Sequence, residues 1–221
     1  MKTKSNTILS IFDTFKTKND ELTGEANRQR AIIAILAGNT NAAERTRTGI
    51  SQKIAKNHGI IWKNIYSGIF RDLDEILIPM GIVEEHGRLP LRRGPKALQE
   101  KGIPFYHLTK KGVLIALSIS EAKNREKLLM DFFAMAEPEE IEYEKILSNL
   151  HKISPNFVHS IFQKYVKAFC NSTIELLPLD LSRLKENSDN SLLIQKEFLE
   201  GFLKLSDQNK QNVIKFLDKI A

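Results

Sequence analysis

The chain has 221 residues, 42% of them hydrophobic and 27% charged. This is long enough for one large domain or two small ones and too ordinary in composition for a disordered or fibrous protein. The net charge of +6 is uneven: residues 1–120 carry 19 Lys and Arg against 11 Asp and Glu, and residues 121–221 carry 14 against 16, so a polyanion is expected to meet the first half only. A lone Cys170 excludes an intramolecular disulfide, no apolar run approaches a membrane span, and the opening MKTKSNTILSIFDTF is broken by Asp13 and lacks a cleavage site, which together imply a soluble cytoplasmic protein with no membrane partner.

Residues 6–15 place Ile8, Ile11, Phe12 and Phe15 on one side of a short amphipathic helix, followed by polar Lys16–Glu21. Thr23 can cap a helix with Ile32, Ile33 and Leu36 inward, stopped by Gly38-Asn39. A loop with Arg45 and Arg47 leads to Thr48 or Ser51, either of which can cap a short helix ending near Asn57. His58-Gly59 then turns into a long helix over about 61–78, closed by Pro79 and Gly81. The period changes at Ile82-Val83 and again at Phe105-Tyr106-His107-Leu108, which read as two short strands around the loop HGRLPLRRGPKALQEKGIP. Thr109 can cap a further helix through Val113, Leu114 and Leu117. From Ser120 onward only helices are expected: Arg125–Ala136, one opening at Pro138 with an acidic first turn, one starting at Ser154-Pro155, and two over about Leu192–Leu205 and Ser206–Ala221. The domain division is therefore 1–24 as amphipathic helix and linker, 25–120 as the basic domain, and 121–221 as a helical module.

The segment SQKIAKNHGIIWKNI places Ile54 and small Ala55 five and four residues before Gly59, with Ile60 and Ile65 after it. Two steeply crossing helices need a small residue at the contact and a turn that tolerates positive φ. This spacing, the stretch MGIVEE and the closing HLTKKG resemble the winged helix-turn-helix superfamily of DNA-binding regulators over residues ~28–118, about 90 of the 221. His58 at a usually apolar slot and Gly68 at an expected inward position depart from the family pattern, so the register of the long helix is expected to be offset by a residue. The resemblance implies a mainly α protein: a winged helix domain of three helices and a small β-hairpin wing, then an all-helical C-terminal module. It also implies a recognition helix at 61–78 in the major groove of double-stranded DNA.

On that helix Trp62, Ile65, Tyr66, Ile69, Leu73, Ile76 and Leu77 form the core side, with Lys63, Asn64, Ser67, Gly68 and Arg71 opposite. Lys63 and Arg71 suit phosphate or guanine, Asn64 suits adenine, and Gly68 keeps the surface low. In the wing, Arg88, Arg92, Arg93, Lys96 and Lys101 stand against one acid, Glu100. Such a basic tip fits the backbone or the minor groove.

Chemistry is not indicated. The sequence has no phosphate-cradling glycine loop, nucleophile elbow or HExxH motif. His151, His159 and Cys170 lack ligand spacing, so neither an enzyme nor a cofactor nor a metal is expected. The run EPEEIEYE reads as a helix start with a solvated acidic face, and Phe132-Phe133 with Met130 and Met135 reads as interhelical core. Eight of the twelve phenylalanines lie after residue 120. The stripe Val213, Phe216, Leu217 and Ile220 is either a homodimer seam or the lid of an intramolecular bundle, and the sequence leaves both open. The competing functional class is an interaction adaptor whose winged helix docks protein rather than DNA.

Overall fold

The protein is described here by a computed structural model over residues 9–16, 20–58, 62–90, 102–187 and 190–220. Thr23, in extended backbone, accepts a hydrogen bond from the amide of Ala26 and so starts α1 (Gly24–Gly38), as its sequence predicts. The next cap differs from expectation. A 3₁₀ turn (Ala42–Arg45) delivers Thr46 in extended backbone, and its hydroxyl accepts the Gly49 amide at the head of α2 (Arg47–His58). Thr48 and Ser51 fall inside the helix, where the Ser51 hydroxyl donates to the Arg47 carbonyl. Capping needs the extended conformation just before the first turn, and only Thr46 has it.

The long third helix is not one α-helix. It runs as α3 (Trp62–Arg71) and continues as a π-helix over Asp72–Leu77. Ile69, Leu73 and Leu77 recur every four residues and are all completely buried. A four-residue spacing overshoots one α-helical turn, and the wider π turn takes up that drift.

The two strands are longer than the sequence suggests. β1 (Val83–Leu89) pairs antiparallel with β2 (Ile103–Leu108) from Val83↔Leu108 to Leu89↔Ile103, with a bulge at His86 between Glu85 and Gly87. An isolated bridge joins Thr46 to Phe105. Thr109 then donates its hydroxyl to the Gly81 carbonyl and accepts the Gly112 amide, opening α4 (Lys110–Leu117). Gly112 is required here, since a Cβ would lie 2.1 Å from the Ile82 carbonyl oxygen. All residues of α4 from Gly112 to Leu117 are buried, because α4 packs against α1 as well as against α5 (Arg125–Phe133) and α7 (Pro155–Cys170).

The chain divides into two compact units, Met1–Leu181 and Ser182–Ala221. Within the first, two polar clusters tie distant segments together. Arg30 donates to Glu121, to Ser120 and to the Ile11 carbonyl. Glu140, completely buried, accepts from Lys110 and from the backbone amides of Glu137 and Leu179. Its burial corrects the expectation of a wholly solvated acidic face at the start of α6 (Ile141–Ile153). A charge-neutralising lysine and two aimed amides replace water around it. Phe132 and Phe133 meet edge-to-face at 5.2 Å in the core, whereas Met130 and Met135 are exposed.

The expected N-terminal amphipathic helix is absent from its described part. Leu9 and Ile11 are buried alternately, residues 11–12 form a turn, and Thr14 bridges to Leu22. Gln29 accepts the Ser10 amide and Arg30 donates to the Ile11 carbonyl, so side chains of α1 satisfy backbone groups that a helix would have paired internally. Residues 1–8 lie outside the described residues.

The second unit contains α8 (Leu184–Asn187), α9 (Asn190–Leu203) and α10 (Asp207–Ile220). Phe198 and Phe202 stack at 5.9 Å on α9, yet no described residue of α9 or α10 is buried.

Candidate nucleic-acid interface

α2 packs on α3, and Ile50, Ile54 and small Ala55 of α2 are buried. On α3 the buried side is carried by Ile69, while Ser67, Phe70 and Arg71 are exposed. Lys63 and Asn64 belong to the first turn of α3, and their side chains lie outside the described residues.

Gly68 serves a different purpose from the one its sequence position suggests. A Cβ there would sit 2.9 Å from Arg28 Nε, because the Arg28 side chain passes over it from α1 to reach the completely buried Asp72 carboxylate at 2.8 Å. The low surface is occupied by Arg28, not left open for a ligand. Arg71 lies beside this pair, 3.3 Å from Glu25 and 3.6 Å from Asp72. Arg28, Ile65, Ser67, Gly68 and Arg71 line an open hollow of about 420 Å³.

Phe70, 41% exposed, was not singled out by sequence reasoning. The Arg47 guanidinium lies 4.1 Å over its ring and 5.4 Å from the Tyr106 ring, and it pairs with Asp74. Burial raises the Tyr106 phenol above its ordinary value, partly opposed by Arg47. The β-hairpin carries an aromatic face as well: His86 packs 5.5 Å from Phe105 and 4.5 Å from His107, and Arg45 lies 5.1 Å over Phe105. The signal for this cluster was the pair Arg45 and Arg47 at the head of α2, but their aromatic partners lie far away in the chain.

Arg88 extends from β1, donating to Glu85 at 2.6 and 2.9 Å and to the Gly102 carbonyl at 3.4 Å. Arg92, Arg93, Lys96 and Lys101 lie outside the described residues. The structure therefore brings together Ser67, Arg71 and the unforeseen Arg28 on one face, and it places Arg88 on the hairpin.

Among the described residues no group of three His, Cys, Asp or Glu side chains is placed to hold a metal ion. Burial pushes the Cys170 thiol up to about 12, which leaves it inert as a nucleophile. Burial lowers His159 below its ordinary value although its Nδ1 meets the Leu117 carbonyl at 3.0 Å. No helix among the described residues is long and apolar enough to cross a membrane. No family model, no curated protein and no solved structure matches the chain, so any functional reading of this face rests on its own geometry and charge.

Proposed function

We propose that residues ~28–118 are a winged helix-turn-helix domain and that the protein is a double-stranded DNA-binding transcription regulator. In this reading α3 enters the major groove and the β1–β2 hairpin lies on the backbone or in the minor groove. The observation that carries it is α2, with small Ala55 buried, packed on α3 and followed by an antiparallel hairpin and the capped α4. The basic excess of the first 120 residues supports a polyanionic partner.

The protein-docking alternative draws on a specific observation too. Three arginines on or beside α3, Arg28, Arg47 and Arg71, are already paired with carboxylates, and Phe70 offers an exposed aromatic ring. The test is titration of the full chain onto duplex DNA at several salt concentrations. DNA binding through phosphates requires log affinity to fall linearly with log salt. Replacing Arg92 and Arg93 by Ala should reduce that slope by roughly 1–2, as about two fewer counterions are released. Absence of salt-dependent duplex binding would remove the proposal and leave the docking module.

A further inference from the structure

The α9–α10 hairpin has more apolar surface than two helices can cover for each other. At ~100° per residue, Ile194, Phe198, Phe202, Leu199 and Leu203 sweep about 180° of α9, and Phe216, Val213, Leu217 and Ile214 sweep about 160° of α10. A single neighbour needs a stripe of only about 100°. The linker Lys204–Ser206 is short, yet α9 and α10 do not pack along their length and none of their described residues is buried.

We propose that this hairpin is a self-association surface and that its occupant is the same hairpin of a second copy, the two forming an antiparallel four-helix bundle. Area points to a partner of this size. Eight large apolar side chains of α9 and α10 are 38–67% exposed. At roughly 150–200 Å² each when fully exposed, they present on the order of 700 Å² per chain. That exceeds the ~300–600 Å² of the largest patch on a typical monomer and approaches the ~800 Å² each partner buries in a stable interface. Charge points to a copy of the same hairpin. α9 carries Glu197 and Glu200 against Lys196, whereas α10 carries Lys210, Lys215 and Lys219 against Asp207 and Asp218. In an antiparallel four-helix arrangement each acidic α9 lies beside a basic α10 of its own chain and another of the second chain. Like-charged helices then occupy only the diagonals. This inference deepens the assembly side of the regulator reading but does not depend on DNA.

Sedimentation of the full chain without DNA, over a wide range of concentrations, tests it. The wild type should be a dimer. Phe198→Lys and Phe216→Lys, both at exposed positions, should each weaken the dimer at least about 30-fold, with the thermal transition of the first unit unchanged. Phe198→Ser and Phe216→Ser remove area without adding charge and should weaken it in the same direction. Ile146→Lys, at a site 57% exposed in the first unit, should leave the dimer intact. A wild type that is monomeric throughout overturns the proposal and leaves the hairpin to another occupant. So does a dimer that survives the α9 and α10 changes, or one that only Ile146→Lys breaks.

Discussion

Glu140 shows how much a single side chain can decide. Burial alone would raise its carboxyl, but the Leu179 amide, Lys110 and the Glu137 amide together hold it below the ordinary 4.5. Glu121 behaves alike: burial raises it, and Arg30, its own backbone amide and Ser120 more than offset that, so it too sits below 4.5. His159 is lowered from 6.5, chiefly by burial. In each case the unfolded chain binds the proton more readily than the folded one, so stability must rise with pH. The contribution of His159 is complete above 6.5 and declines below it. Those of the two glutamates are complete above 4.5 and are lost as pH falls through their lowered folded values. Urea denaturation from about pH 8 to about pH 2.5 should show this monotonic fall. Glu140→Gln leaves Lys110 beside a neutral amide in the core and should cost roughly 2–4 kcal/mol at neutral pH. It should also flatten the acidic limb of the curve. A variant whose acidic limb matches that of the wild type would show that Glu140 is not a source of the acid sensitivity.

At the scale of elements, α3 and α1 act as one surface, because Glu25, Arg28, Asp72 and Arg71 interlock across them. If this face meets DNA, Glu25 both competes for Arg71 and repels the approaching phosphates. Glu25→Ala should then tighten duplex binding about 2–5-fold at low salt, and Arg71→Ala should weaken it by roughly 1–3 kcal/mol. Fluorescence anisotropy with short duplexes reads both, and equal affinities for the wild type and the two variants would place the groove contact elsewhere. Local signals made much of the architecture legible beforehand. Thr23, Thr109 and Pro155 each announce a helix start through their own side chain or ring. The π segment was not legible, since its cause is the core that collects Ile69, Leu73 and Leu77. The burial of Glu140 was not legible, because Lys110 lies 30 residues away. The same holds for Arg28 over Gly68, where a close approach was foreseen but its occupant was not. Residues 9–16 misled because Leu9 and Ile11 fit a helical stripe and a short extended segment equally well, and Gln29 and Arg30 decided between them.

The whole molecule joins a first unit with a complete core to a second whose two long helices bury none of their described residues. The large, completely buried side chains, among them Tyr165, Phe132 and Phe162, all belong to the first unit. A chain ending at residue 181 should therefore keep its cooperative unfolding transition within a few kcal/mol of the full chain, since the lost segment supplies almost none of the buried apolar area. Its effect should appear in binding instead. A monomeric domain and a tethered pair see one half-site identically, but on two properly spaced half-sites the second contact of the pair is intramolecular, at an effective concentration that short linkers raise to about the millimolar range. Truncation should thus leave affinity for a single half-site unchanged and reduce affinity for the double site about 10²–10⁴-fold. Equal losses on both sites would mean that residues 182–221 support the DNA-binding face itself. No loss on either would mean that the second unit serves a purpose separate from DNA recognition.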